Sequence, residues 1–178
     1  MPRKLLNAEL QRLAPQAFKT AQRLPVVLVL DNIRSQHNIG AAFRTADAFC
    51  IEKICLCGIS AVPPTAEIHK SALGAEDTVP WSYFSNTAEA VSQLRLENYM
   101  VLSIEQAEGA CSLDRFMPLK ETKYALVFGN EVWGVQQAIV DMGDCCLEIP
   151  QFGTKHSLNV SVSIGVVLWD FLVKLRRC

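Results

Sequence analysis

Apolar and polar positions along this chain follow two periods in turn. Leu6, Leu10, Leu13 and Ala17 recur at helical spacing, which predicts an amphipathic helix over 7–23, ended by Pro25. Val26-Val27-Leu28-Val29-Leu30 follows as an unbroken β-branched and leucine run. Such a run reads as a strand buried on both faces, the habit of parallel sheets. The alternation continues with a helix over 39–49 and a strand over 51–57. A loop holding Pro63-Pro64 leads to a short helix around 68–73. Then come a helix over 87–96, strands over 99–104 and 124–128, a helix over 136–142, a strand over 145–149 and a long helix over about 158–176. Strands alternating with helices predict an α/β fold with a mostly parallel sheet and helices on both faces.

The 178 residues suit one domain spanning 1–178, with 1–25 as a short basic helical extension. Half the residues are hydrophobic and 20% are charged, which excludes disordered, collagenous and low-complexity classes. No secretory signal is read at the start. The apolar run 164–169 is closed by Asp170, far short of the roughly 20 residues of a membrane span. Seven cysteines contain no C-x-x-C pair, so no zinc ribbon or thioredoxin motif is expected, and no metal. All seven read as reduced thiols of a cytosolic protein, with Cys55 and Cys57 on one face of a strand. Net charge is −1, which argues weakly against a polyanionic partner. Its distribution differs: residues 1–45 carry +5 and residues 46–178 carry −6. A basic N-terminal quarter is able to engage a polyanion locally, or is simply a solvated helix face.

Ligands of open α/β sheets lie beyond the carboxyl ends of the strands, so the loops after the strands are where chemistry is sought. After the first strand, Asp31 to Arg44 form a polar loop entering a helix, with Asn38 as a plausible N-cap and Arg44 in the second turn. Phe128-Gly129-Asn130-Glu131-Val132-Trp133-Gly134 follows a later strand; its spacing matches neither G-x-G-x-x-G nor a Walker loop. After the last strand, a loop rich in Gly, Thr, Lys, His and Ser feeds a helix carrying Ser157, Asn159, Ser161 and Ser163; either Ser157 simply caps it, or its first turn lines a site.

Together these loops have a family's order and spacing. Asn38-x-Gly40-x-x-x-Arg44, Phe128-Gly129-Asn130-Glu131-x-x-Gly134, and Ile149-Pro150 with Ser157-Leu158-Asn159-Val160-Ser161-Val162 resemble the three motifs of the SpoU (TrmH-like) branch of the SPOUT RNA methyltransferases. The resemblance runs from about Val26 to Phe171. It implies S-adenosylmethionine-dependent 2′-O-ribose methylation of tRNA or rRNA, a C-terminal trefoil knot and a cytoplasmic homodimer. By that resemblance Gly129, Ile149 and Leu158 meet the adenosine, with Ile104 and Gln106 as a further wall. The implied catalytic set is Asn38, Arg44, Glu131, Ser157 and Asn159.

Attack by a ribose 2′-oxygen on a sulfonium methyl needs alignment and removal of a proton. An arginine is not normally a base, since its pKa lies above about 12. Three roles stay open for Arg44: an unusually perturbed base, a stabiliser of the developing alkoxide, or a bidentate phosphate clamp. Glu131, Ser157 and Asn159 would orient it. His37 and His156 lie in the neighbouring loops and suit proton transfer near neutral pH, although structural or substrate contacts are the commoner roles. Candidate RNA contacts are Arg3, Lys4, Arg12, Lys19 and Arg23 of the N-terminal helix, with Arg34, Lys70 and Lys155. Lys70 lies in Ile68-His69-Lys70-Ser71-Ala72-Leu73-Gly74-Ala75-Glu76, which also resembles a family segment near the substrate. The compact build favours tRNA slightly over rRNA. Two other classes compete. A Ser157–His156 hydrolase lacks the G-x-S-x-G elbow; a non-catalytic RNA-binding protein of the same fold would not need the whole motif set.

Overall fold

The computed structural model describes residues 1–6, 9–10 and 12–177, without the side chains of Pro15, Gln16, Lys19 and Arg177. Cys178, one of the seven cysteines, the Lys19 side chain and residues 7, 8 and 11 of the expected N-terminal helix lie outside the described residues.

The elements are α1 (Pro15–Thr20), β1 (Leu24–Asp31), α2 (Gln36–Ala48), β2 (Ile51–Cys57), α3 (Ala66–Ala72), β3 (Trp81–Phe84), α4 (Thr87–Leu96), β4 (Tyr99–Ile104), β5 (Cys111–Ser112), β6 (Lys123–Phe128), α5 (Gln137–Met142), β7 (Cys145–Glu148) and α6 (Val160–Arg177). The sheet runs β3-β2-β1-β6-β4-β7-β5, and every pairing is parallel. Side chains on a strand alternate between faces. Val26, Leu28 and Leu30 therefore pack against α2, α3 and α6, while Val27 and Val29 pack against α4 and α5. Val26 to Leu30 are all at most 1% exposed, which explains the unbroken apolar run. Each such side chain contributes roughly 1.5–3 kcal/mol on burial. Cys55 and Cys57 share the α4–α5 face, as their alternation predicts. Burial pushes the Cys55 thiol up to about 11 and the Cys57 thiol up to about 12, so neither is nucleophilic near neutral pH.

The N-terminal helix is shorter than its apolar spacing predicts. Only Pro15–Thr20 is helical among the described residues, with the proline at its first position. A proline lacks the N–H that a continuing helix needs and fits at a helix start. Leu6 and Leu13 are exposed, and Phe18 is the residue that this helix buries. Two short edge strands, β3 and β5, went unread: β5 has two residues, and β3 exposes Trp81 and Tyr83 rather than burying a face.

Caps explain the remaining boundaries. Ser35, not Asn38, caps α2, its hydroxyl accepting from the Asn38 amide at 3.3 Å. Thr65 and Asn86 cap α3 and α4 in the same way. α6 starts at Val160, and Asn159 rather than Ser157 accepts from the Ser161 amide at 2.9 Å. A Cβ on Gly40 would collide with the Ser71 side chain and the Ile68 carbonyl, so glycine is what lets α2 and α3 touch.

Candidate functional site

β1, β6, β4 and β7 are consecutive in the sheet, so their carboxyl-end loops meet. The loops after β4, β6 and β7 enclose a cleft of about 600 Å³. Ile104, Gln106, Gly129, Ile149 and Leu158 all line it, as the five candidate cofactor contacts should. Glu131, Ser157 and Asn159 line it too.

One hydrogen-bonded chain joins three of the expected catalytic residues. The Glu131 carboxylate accepts from the Arg34 and Ser35 amides and from Asn38 Nδ2, each at 3.0 Å. Asn38 Oδ1 accepts from Asn159 Nδ2 at 3.2 Å. Burial pushes the Glu131 carboxyl up, but the Arg34 amide and the other donors outweigh it and leave the pKa lowered. Asn38, the third residue of α2 and so past its cap position, is thus a buried link from α2 to Glu131 and to Asn159 before α6.

Arg44 stands elsewhere. It is exposed on α2, six residues beyond Asn38, and is not part of the cleft wall. Within one chain Glu131 holds the loop before α2, and no hydrogen bond joins Arg44 to Glu131, Ser157 or Asn159 among the described residues. Ser157 is exposed on the cleft wall. His156 lines the cleft, and its carbonyl accepts from Gln106 Nε2 at 2.6 Å. His37 is exposed at the start of α2. No hydrogen bond joins Ser157 to His156, so the hydrolase pairing is not made among the described residues.

The candidate RNA contacts divide. Lys4, Arg12, Arg34 and Lys155 are exposed. Arg3 pairs with Glu9 at 2.6 Å, and Lys70 with Glu67 at 2.6 Å, both on the surface. The Arg23 guanidinium is engaged within the fold: it donates to the Ile51 and Phe18 carbonyls and lies 4.7 Å from the Phe18 ring centre.

Three residues that build the cleft escaped sequence reasoning. Glu105 accepts from the Val135 amide at 2.8 Å and the Gln106 amide at 2.9 Å, fastening the loop after β6 to the end of β4. Asn130 accepts from the Val132 amide at 2.9 Å and donates to the Asn32 carbonyl at 2.7 Å, so it shapes the turn and anchors it to β1. Buried Asp31 accepts from Thr87 Oγ1, Asn32 Nδ2 and both nitrogens of Gln136, tying β1 to the starts of α4 and α5. Only the place of Asp31 and Glu105 at strand ends pointed to them. Gly129 serves this turn as well: a Cβ there would strike the Gly134 and Val135 backbone, so the turn closes on itself.

Among the described residues no group of three or more His, Cys, Asp and Glu could hold a metal ion, and no helix is long and apolar enough to cross a membrane.

A fully parallel sheet, covered on both faces and carrying its cleft over the strand carboxyl ends, places the protein among ligand-binding α/β folds. The chain belongs to the SpoU rRNA Methylase family, whose model matches residues 25–169. It is 34% identical over 145 residues to the 23S rRNA (guanosine-2′-O-)-methyltransferase RlmB of Nitrosomonas europaea, covering 82% of this chain and 55% of that one. The chain therefore spans about half the length of the curated relatives it matches. The TrmH/SpoU tRNA modifying enzyme of A. aeolicus shares the fold, with a TM-score of 0.79 at 22% identity over 90% of this chain and 80% of that one. The AdoMet-bound rRNA methyltransferase of Sinorhizobium meliloti has a TM-score of 0.77 at 26% identity, covering 90% of this chain and 60% of that one.

Proposed function

We propose that this protein is an S-adenosylmethionine-dependent RNA 2′-O-ribose methyltransferase. One observation carries the reading: Glu131, Asn38 and Asn159, from three separate motifs, join in one hydrogen-bonded chain beside a cleft lined by the five candidate cofactor contacts. The cleft suits the cofactor. Ile104, Ile149 and Leu158 offer apolar walls, and the backbone around Gly129 offers polar groups, as an adenine requires. When bound, S-adenosylmethionine supplies an electrophilic methyl group.

The chain's own residues do the rest. Glu131 and Asn38 hold the loop before α2 and the start of α6 in register with the cleft. Ser157 and Asn159 present polar groups at its wall. The Arg44 guanidinium is a cation with a fixed fork of donors, so it acts as a phosphate clamp that sets the ribose angle rather than as the proton acceptor.

The reading includes a homodimer. α2 and α6 lie side by side, linked by the Asn38–Asn159 bond and the Phe49–Trp169 ring contact at 6.2 Å. Val162, Val166 and Trp169 of α6 are exposed at helical spacing. A second copy seated on this stripe would cover it, and Arg44, exposed on the adjoining α2, would then reach the copy's cleft. The family's trefoil knot belongs to the same reading. The Glu105–Val135 and Gln106–His156 bonds, which hold the loops after β4, β6 and β7 together, support it.

Methyl transfer from labelled S-adenosylmethionine to RNA from a strain lacking the protein tests the proposal. A 2′-O-methyl group removes the neighbouring nucleophile, so the label should survive alkali in a dinucleotide. Label released as mononucleotide would mean base methylation. The size fraction tests the preference for tRNA over rRNA. Arg44→Ala should abolish transfer while cofactor affinity stays within about twofold; near-normal turnover would remove Arg44 from the site.

A further inference from the structure

Trp133 is a large aromatic side chain left 85% exposed on the wall of the cleft. The turn that bears it is firmly held. Asn130 and Gly134 exchange backbone hydrogen bonds at 3.0 and 2.9 Å. Asn130 Oδ1 accepts from the Val132 amide at 2.9 Å and the Trp133 amide at 3.4 Å, and its Nδ2 donates to the Asn32 carbonyl at 2.7 Å. The indole is therefore presented outward on a braced backbone.

An arginine lines the adjoining depression. Glu131, two residues earlier, accepts from the Arg34 and Ser35 amides. Arg34, Ser35 and Glu131 line a second, shallower depression of about 290 Å³. Glu131 is thus the shared wall of two adjoining depressions: the large cleft with Trp133 on its rim, and the smaller one with Arg34. The Arg34 guanidinium has no hydrogen bond or ion pair among the described residues.

We propose that Trp133 and Arg34 form the seat of the target nucleotide, the indole stacking on a nucleobase and the guanidinium taking a flanking phosphate. An exposed flat π-face on one depression and an unpaired cation on the adjoining one match a nucleotide, whose base is flat and whose phosphate is anionic. A rigid turn suits stacking because the ring needs no ordering on contact. Stacking tolerates any base, so this seat grips the nucleotide without choosing its identity. The inference rests on the methyltransferase reading.

The experiment separates the two. The unaltered chain is first assayed for methyl transfer to deproteinised tRNA and fragmented rRNA from a strain lacking the protein; no transfer with either overturns the methyltransferase reading itself. Given transfer, Trp133→Ala should raise the KM for RNA at least about fivefold, with the Kd for S-adenosylmethionine within about twofold. Trp133→Phe should recover most of the affinity, since it keeps a π-face. The salt dependence of RNA binding should keep its slope in Trp133→Ala and lose about one phosphate's worth in Arg34→Ala. An unchanged RNA KM in Trp133→Ala overturns the seat. So does an equal loss of cofactor affinity, which would make the ring a cofactor wall. Loss of self-association in sedimentation also overturns it, because the ring would then face a second copy.

Discussion

Glu131 is the residue that ties the turn after β6 to the start of α2. Its carboxylate takes two donors from the loop before α2 and one from Asn38 in its first turn, and its pKa is lowered because such donors outweigh burial. A lowered carboxyl stabilises the fold fully above its ordinary value of 4.5, and that contribution is lost as the pH falls through the folded value below it. Thermal melts of the unaltered chain and Glu131→Gln should therefore differ most above 4.5 and converge in more acid solution. A gap that stays constant into acid would mean that the charge does not matter. Glu131, Asn159 and Asn38 were legible as a motif in the sequence; their partners were not. Asn38 reads as a cap from its type and place, yet its amide is drawn to Glu131 and Asn159, which lie 93 and 121 residues away in sequence. Long-range hydrogen bonds leave no local periodicity to read.

Elements with a strong period were legible to within a residue or two. β4 runs over 99–104 and α4 over 87–96, as the pattern predicts, because both bury an apolar face continuously. Among the described residues of the helix predicted over 7–23, the α-helix covers six, starting at a proline. Short edge strands such as β5 are set by their neighbour and show no period of their own. Two element junctions invite tests. Gly40→Ala should cost about 1–3 kcal/mol, since the new methyl meets α3 head-on and a packed interface tolerates little extra volume. A melting temperature unchanged within a degree or so would show that α3 simply shifts. Glu105→Ala should weaken S-adenosylmethionine binding roughly tenfold by releasing two amides that shape the cleft, with Glu105→Gln intermediate in calorimetry. Equal binding by all three forms would leave Glu105 no part in the cleft.

At the scale of the whole molecule, α6 leaves a stripe of Val162, Val166 and Trp169 exposed. If the proposed dimer and methyl transfer hold, Val166→Asp should leave a monomer in analytical sedimentation and abolish transfer, while cofactor affinity stays within about twofold; a dimeric, active variant would place the interface elsewhere. The sequence alone sufficed for the α/β class, the order of long elements and the residues of three motifs, because burial periodicity and motif spacing are local properties of a chain. It sufficed also for the five cleft residues, through the resemblance that those motifs carry. The fold alone decided that β6 and β4 sit between β1 and β7, that Glu105, Asn130 and Asp31 brace the cleft, and that Arg44 lies outside it. Such facts depend on which distant segments become neighbours. That choice comes from packing the whole sheet at once, and no window of sequence contains it.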